Sequence, residues 1–223
     1  MLKIVNLCKT FHKNQPDEKK VFENFNLNVS KGEFIIILGG NGTGKSTLMN
    51  LIAGSLYVDS GQILIEDKNI TNIPEYKRAK FIGRVFQDPL KGTAPNLTIE
   101  QNLSLAMLRN SKKNLCFGIT KQNLEFFKYE LKKLNLGLEN RLKTKVGLLS
   151  GGQRQALTLV MATLVQPKIL ILDEHTTALD PDSRANILDL TKIITENKQV
   201  TTLMITHNIS SFANFENRII MLK

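Results

Sequence analysis

Cysteine and tryptophan are scarce in this sequence: of 223 residues only Cys8 and Cys116 are cysteines, and none is tryptophan. Two cysteines cannot build a disulfide framework, and nothing near them suggests a metal site, so we interpret both as reduced thiols. Long apolar runs are also absent, because Phe34–Leu38 and Ile169–Leu172 fall far short of the roughly 20 residues that span a bilayer. The N-terminal residues lack the pattern of a signal peptide. We therefore expect a cytoplasmic globular domain with no membrane-spanning helix.

Positive charge exceeds negative charge, with a formal net charge of +10 and a pI near 9.6. Most of the excess lies between Arg109 and Lys145, where ten basic residues accompany three acidic ones. Such a stretch is either a solvated helical face or a patch for nucleic acid or an anionic membrane. We favour the solvated helical face over a dedicated binding patch. No direct binding of nucleic acid is expected.

Short apolar segments alternate with helical patterns, which predicts an α/β fold with a mainly parallel sheet. The continuous apolar run Phe34–Leu38 indicates a central parallel strand covered on both faces. A hairpin through Gly61 is expected, and an inserted helical unit at 88–150. Strands are predicted at 2–7, 25–29, 34–38, 62–67, 84–86, 168–173, 201–206 and 219–222. Helices are predicted at 46–54, 97–108, 121–136, 154–165 and 181–194.

The segment GGNGTGKST contains the pattern G-x-x-x-x-G-K-S between a predicted strand and a predicted helix. Its glycines allow a tight turn whose N–H groups surround phosphates, and the helix start adds a favourable dipole. Lys45 neutralises phosphate charge, and the Ser46 hydroxyl is suited to bind Mg²⁺. The alternative is a glycine-rich turn that only caps a helix. The predicted phosphate-binding residues are Gly39, Asn41, Gly42, Gly44, Lys45, Ser46 and Thr47.

The segment KILILDEH is an apolar strand that ends in two acids, Asp173 and Glu174. Adjacent carboxylates at the end of a buried strand are costly unless a cation or water needs them. Beside the glycine loop, Asp173 is placed to hold Mg²⁺ and Glu174 to orient or deprotonate the attacking water. An acid pair at a helix N-terminus is the alternative interpretation.

The segment LLSGGQRQAL resembles the signature sequence of the ABC family of ATPases, through Ser150, Gly151, Gly152 and Gln153. A serine hydroxyl and glycine N–H groups at a helix start form a second anion site, which one chain does not need for one ATP. In the ABC family this site serves the ATP of a second copy, so the resemblance implies a homodimer with closed two-fold symmetry. Taken alone, the segment could be an ordinary serine-capped helix.

The order of the remaining motifs fits the same family and implies further roles. Phe11 stands where the family stacks an aromatic ring on adenine. Gln87, in VFQDP, resembles the glutamine that contacts Mg²⁺ and senses the γ-phosphate. Ala178–Asp180 resembles the loop that crosses the dimer interface. His207 resembles the histidine that contacts the γ-phosphate and holds Glu174 and water in line. A lone phenylalanine or histidine at a strand end is more often structural, so two of these roles depend on the resemblance.

The resemblance covers essentially the whole chain and implies one domain, 1–223, with a RecA-like P-loop NTPase core. Residues 1–87 and 151–223 are expected to form the nucleotide-binding core, with a mainly parallel sheet and an antiparallel β-subdomain. Residues 88–150 are expected to form the inserted α-helical subdomain.

Within the family, the motifs are most similar to the ATP-binding subunits of amino-acid-type importers, the tryptophan/tyrosine group. His175 is the telling residue, because most ABC ATPases have proline directly after the catalytic glutamate. This similarity implies a transport-coupled ATPase that uses ATP and Mg²⁺ at the inner face of the cell membrane. A transmembrane permease and an extracytoplasmic solute-binding protein are its implied partners. Exporters of the lipoprotein-release type and soluble ABC proteins that act on nucleic acid share these motifs and stay open as alternatives.

Overall fold

The computed structural model describes residues 1–110, 119–206 and 218–223, which form an α/β fold with two sheets. Its strands are β1 (Leu2–Phe11), β2 (Lys19–Val29), β3 (Phe34–Leu38), β4 (Ser60–Ile65), β5 (Lys68–Asn69), β6 (Ile82–Val85), β7 (Ile169–Asp173), β8 (Thr201–Ile205) and β9 (Arg218–Met221). Its helices are α1 (Lys45–Ala53), α2 (Glu75–Arg78), α3 (Ile99–Met107), α4 (Lys121–Lys132), α5 (Gly151–Thr163) and α6 (Pro181–Lys198). In the described part of the chain, no helix is both long and apolar enough to span a bilayer.

The central sheet is parallel, with the strand order β6-β7-β8-β3-β9. Alternate residues of β3 enter two different cores, which explains its unbroken apolar run. Ile35 and Ile37 join the core formed with α1 and the other sheet, whereas Phe34, Ile36 and Leu38 join the core formed with α3 to α6. The prediction of a central strand covered on both faces is confirmed.

The second sheet is antiparallel, with the order β2-β1-β4-β5. The prediction that a hairpin turns through Gly61 is wrong. Gly61 lies inside β4, where a Cβ would stand 2.4 Å from the Asn6 carbonyl oxygen. Glycine is needed there for a close backbone approach to β1 rather than for a turn. The turn falls at Glu66 and Asp67, which have φ of 49° and 62° and join β4 to β5. Two consecutive residues with positive φ match the twist of a tight hairpin.

Residues 88–150 contain α3, α4 and short 3₁₀ turns in their described part, which is the helical content that the sequence predicts. Thr98 begins α3 with a reciprocal capping box, in which its hydroxyl and the Gln101 side chain each accept a backbone N–H. Thr120 caps α4 through its hydroxyl. The boundaries of the helical subdomain stay a prediction.

Arg78 is a buried cation that binds the C-terminal end of α1. Its guanidinium donates to the carbonyl oxygens of Leu51 and Ile52, at 2.7 and 2.8 Å, in the last turn of α1. It also donates to the carbonyl oxygens of Thr71 and Ile73. Carbonyls at a helix end lack intrahelical donors and attract positive charge, so Arg78 satisfies them and fixes the helix that begins at the glycine loop.

Arg78→Met is expected to destabilise the protein by about 3 kcal/mol or more, because four carbonyl oxygens, three of them in buried bonds, lose their charged donor. Urea unfolding measures the free-energy difference. Lys77→Met, a change of the same type at the exposed neighbouring position, is the control and should alter stability by no more than about 0.5 kcal/mol. Equal effects of the two variants would contradict the anchoring role of Arg78.

Candidate active site

The loop between β3 and α1 turns through conformations that favour glycine. Gly42 and Gly44 have φ of 81° and 93°, in the left-handed region. A Cβ on Gly44 would lie 2.5 Å from Val21 Cγ1 and 3.0 Å from the Phe22 ring, so the loop also packs tightly on β2. Helix α1 begins at the next residue. Its first N–H groups have no intrahelical acceptor and are therefore suited to bind an anion.

Lys45 is folded over this loop. Its Nζ donates to the carbonyl oxygens of Gly39 and Gly40 at 2.9 and 2.8 Å, and the side chain is buried. Phosphate oxygens are stronger acceptors for an ammonium group than neutral carbonyls are. Lys45 is therefore placed to exchange these bonds for bonds to a phosphate.

A cleft of about 290 Å³ beside the loop brings together most of the predicted phosphate-binding residues. Phe11, at the end of β1, and Glu174, directly after β7, lie on its walls. Gly39, at the start of the loop, does not line it. The lining residues are Phe11, Lys19, Val21, Asn41, Gly42, Gly44, Lys45, Ser46, Thr47 and Glu174.

Lys19 is a cleft residue that sequence reasoning missed. A Cβ on Gly42 would stand 3.2 Å from its Nζ, so Lys19 brings a second cation to the phosphate loop. It belongs to the mixed-charge segment Asp17–Lys20, in which no pattern distinguishes one lysine from the other.

A second cleft, of about 600 Å³, lies at the carboxyl ends of β6 and β7 and includes Gln87 and Asp173. The two strands are parallel neighbours, with Val85 opposite Leu172, so Gln87 and Asp173 follow the sheet at the same edge. The third predicted Mg²⁺ ligand, Ser46, lines the first cleft. Burial raises the pKa of Asp173, and the nearby Arg84 opposes that effect.

Arg84 is the other residue of this cleft that sequence reasoning missed. Its guanidinium binds Asn50 Oδ1 of α1 at 2.8 Å and Asp173 Oδ2 at 3.4 Å, and it lies 4.6 Å from the centre of the Phe86 ring. It therefore contacts the helix that carries Ser46, the strand that carries Asp173 and the residue before Gln87. A single arginine in a short strand gives no signal of such contacts in the sequence.

Glu174 and His175 form the turn after β7. Glu174 has φ of 46°, and its N–H donates to the Ile205 carbonyl oxygen at 3.1 Å. His175 is buried, and burial lowers its pKa to about 4, so the ring is neutral at pH 7. Its Nε2 lies 3.0 Å from Thr191 Oγ1 of α6.

The signature segment lies at the start of α5 and lines neither of these clefts. Ser150 is exposed and caps the helix, and it forms a reciprocal capping box with Gln153. Gly151 and Gly152 open the first turn, where a Cβ on Gly152 would lie 2.8 Å from Ser183 Oγ. The structure therefore brings the loop, Phe11 and Glu174 together but leaves the signature on a separate, accessible surface. His207 lies outside the described residues.

The residues predicted for Mg²⁺ fit a hard cation. Ser46, Gln87 and Asp173 offer a hydroxyl, an amide and a carboxylate oxygen, the donor types that Mg²⁺ prefers. One Asp173 oxygen pairs with Arg84, which leaves the other as a candidate ligand.

The chain is similar to known transport ATPases in sequence. The family model described as ABC transporter matches residues 22–177. A tyrosine transport ATP-binding protein of Clostridioides difficile is 46% identical over 100% of this chain and 88% of that protein. The thiamine import ATP-binding protein ThiQ of Haemophilus influenzae is 35% identical over 89% of this chain and 87% of that protein.

Solved structures give the same result for the fold. The ATP-binding cassette MJ0796, a dimer in a post-hydrolysis state bound to ADP and Pi, matches with a TM-score of 0.83 and 30% identity, over 100% of this chain and 94% of that chain. A nucleotide-free ATP-binding cassette from an ABC transporter matches with a TM-score of 0.79 and 26% identity, over 100% and 87%. The predicted P-loop α/β fold is confirmed.

Gly44→Ala is expected to weaken ATP binding and to lower the melting temperature, because the left-handed φ alone costs about 1–2 kcal/mol and the methyl group meets Val21. Gly40→Ala is the matched control in the same loop, since its φ is not positive and a Cβ would have its nearest contact at 3.8 Å. Fluorescent-nucleotide titration and thermal unfolding test both variants. Gly44→Ala with wild-type affinity and stability would contradict the loop geometry.

Proposed function

The chain belongs to the ABC transporter family as one of its ATP-hydrolysing subunits, and we propose that it energises uptake of an amino-acid-like or other small solute through a separate membrane permease. The proposed ATP hydrolysis is supported by one observation: Glu174 lines the same cleft as Lys45, Ser46 and the glycine loop. A carboxylate beside a phosphate-binding loop is suited to orient or deprotonate the water that attacks a terminal phosphate.

In this proposal the loop N–H groups and Lys45 bind the β- and γ-phosphates, and Phe11 stacks on adenine. Glu174 accepts a proton from the attacking water as the water approaches the γ-phosphate. Ser46, Asp173 and Gln87 would hold Mg²⁺, which neutralises charge on the phosphate oxygens. His207 is assigned the γ-phosphate contact by its position in the motif order alone.

The exposed signature supports a working dimer. Ser150 and Gly151 lie on the surface, outside the cleft that would hold this chain's own ATP. A second copy, turned by a two-fold axis, would bring its signature to that ATP, and both sites would close together. In this arrangement each ATP lies between the phosphate loop of one copy and the signature of the other.

A groove of about 390 Å³ between α3, α5 and the segment after β6 is the proposed docking site for the permease. Leu105, half exposed, lies on its apolar side, while Lys91 and Arg109 supply positive charge. The groove therefore suits a cytoplasmic permease segment with apolar side chains and a carboxylate. Gln155 of α5 donates to the Phe86 carbonyl oxygen at 3.3 Å, which links the groove to the segment that carries Gln87.

Support for the proposed direction and solute class comes from the names of the relatives and not from the site. One relative is named for tyrosine transport and another for thiamine import, which favours import of a small solute. A solute-binding protein as a further partner is part of the proposal. Docking to a permease would place the chain at the inner face of the membrane.

Glu174→Gln is expected to bind ATP, to lose at least about a hundredfold in phosphate release, and to accumulate as an ATP-bound dimer, because only the proton acceptor is removed. Phosphate release and size-exclusion chromatography with ATP measure the two effects. Glu125→Gln, at an exposed position on α4, is the control. Hydrolysis by Glu174→Gln at the wild-type rate would refute the proposed base.

Leu105→Asp is expected to abolish uptake in cells that depend on this subunit. The new carboxylate would remove the apolar contact with the permease segment and would repel the carboxylate of that segment. The purified variant should keep its basal ATPase rate, because Leu105 is exposed and outside both nucleotide clefts. Uptake of labelled amino acids, tyrosine included, measures transport. Tyr129→Asp, at an exposed position on α4 outside the groove, is the control. Full uptake with Leu105→Asp would contradict this docking site.

A further inference from the structure

The turn after β7 holds Glu174 in a backbone conformation that residues with a Cβ avoid. Its φ of 46° costs about 1–2 kcal/mol relative to ordinary backbone. Its N–H binds the Ile205 carbonyl oxygen at 3.1 Å, and its carbonyl oxygen accepts the Thr177 N–H at 3.0 Å. Both bonds tie Glu174 to β8 and to its own turn. Strain of this kind persists only where the surroundings hold it in place.

His175, the next residue, connects this turn to α6. The ring is 1% exposed, and its Nε2 lies 3.0 Å from Thr191 Oγ1. The Thr191 hydroxyl donates its single proton to the Ile187 carbonyl oxygen at 2.7 Å. It can therefore only accept from His175, so the proton lies on Nε2.

The other ring nitrogen shows that stability alone does not account for a histidine here. With the proton on Nε2, Nδ1 is a bare acceptor, and it has no hydrogen-bond partner within the described ranges. A buried polar atom without a partner costs about 1–3 kcal/mol, which an apolar side chain would avoid. What the histidine gains is one directed bond to α6.

The helix that this bond reaches also touches the signature. Helix α6 begins after Asp180, and Ser183 of its first turn is the residue that a Cβ on Gly152 would meet at 2.8 Å. A single 18-residue helix therefore joins Thr191, behind Glu174, to the surface of the signature.

We propose that His175 is a positioning residue. Its hydrogen bond to Thr191 holds the Glu174 carboxylate in the orientation that activates the attacking water, and it couples that orientation to α6. The inference rests on the proposed role of Glu174 as the base. His175 lines neither nucleotide cleft, so its loss should lower kcat and leave ATP affinity unchanged.

Thr191→Val tests the bond from the acceptor side, because valine keeps the shape and removes the oxygen. We expect kcat to fall at least about tenfold, as a misaligned base allows, with KM for ATP within about twofold of wild type. Thr195→Val is the matched control: Thr195 is buried one turn later in α6, and its hydroxyl donates to the Thr191 carbonyl oxygen at 2.8 Å. Equal kcat in the two variants would overturn the proposal.

Substitutions of His175 test the bond from the donor side. The amide nitrogen of His175→Gln can replace Nε2 as the donor to Thr191, whereas His175→Asn reaches only the position of Nδ1. We expect His175→Gln to keep kcat within about threefold of wild type and His175→Asn to match Thr191→Val. Similar losses in both variants would contradict a role for the Thr191 bond.

A double-mutant cycle that combines Glu174→Gln with Thr191→Val separates this inference from the proposed function. If His175 acts through the Glu174 carboxylate, Thr191→Val should not lower the residual hydrolysis of Glu174→Gln further. An additional tenfold loss would overturn the positioning role, even with Glu174 confirmed as the base. Wild-type hydrolysis by Glu174→Gln would instead refute the proposed function itself.

Discussion

The common direction of β3, β6 and β7 is the constraint on which the rest of the structure depends. Parallel strands end at the same edge of a sheet, so the glycine loop, Gln87 and the acids after β7 meet there without needing contacts of their own. That direction requires crossover helices on both faces, and hence strands buried on both sides. The unbroken apolar segments of β3 and β7 are therefore as much a condition for the site as the residues that follow them.

The features that could be predicted from the sequence are those that one short segment determines. Each of three features is determined by residues adjacent in the sequence: the glycine loop, the acids after β7 and the capped start of α5. Together they predicted the order of the strands and helices. The contacts that sequence reasoning missed join distant residues: Arg84 and Asp173 are 89 positions apart, and His175 and Thr191 are 16 apart. The prediction of a turn at Gly61 failed because glycine occurs both in turns and where two backbones approach closely. Only the fold distinguishes these two uses.

Several buried or partly buried polar side chains connect the elements that carry the site. Arg78 binds the far end of α1, Arg84 joins α1 to β7, His175 joins the turn after β7 to α6, and Gln155 joins α5 to the end of β6. Apolar packing brings these elements together but is not directional. Hydrogen bonds fix orientation at modest net gain in stability. We infer that these side chains fix the relative angles of α1, α5 and α6 in addition to what they contribute to stability.

The position of α6 has a consequence in the proposed dimer. One part of this helix bonds to the residue beside Glu174, which would act on the ATP of its own chain, and the other touches the signature, which would act on the ATP of the partner. A rigid shift of α6 at one site would therefore change the surface that closes the other. Because the two-fold axis repeats the arrangement, each ATP would be linked to the other through both copies of α6. Cooperation between the sites then needs no contact between the nucleotides, only a helix rigid enough to move as one body.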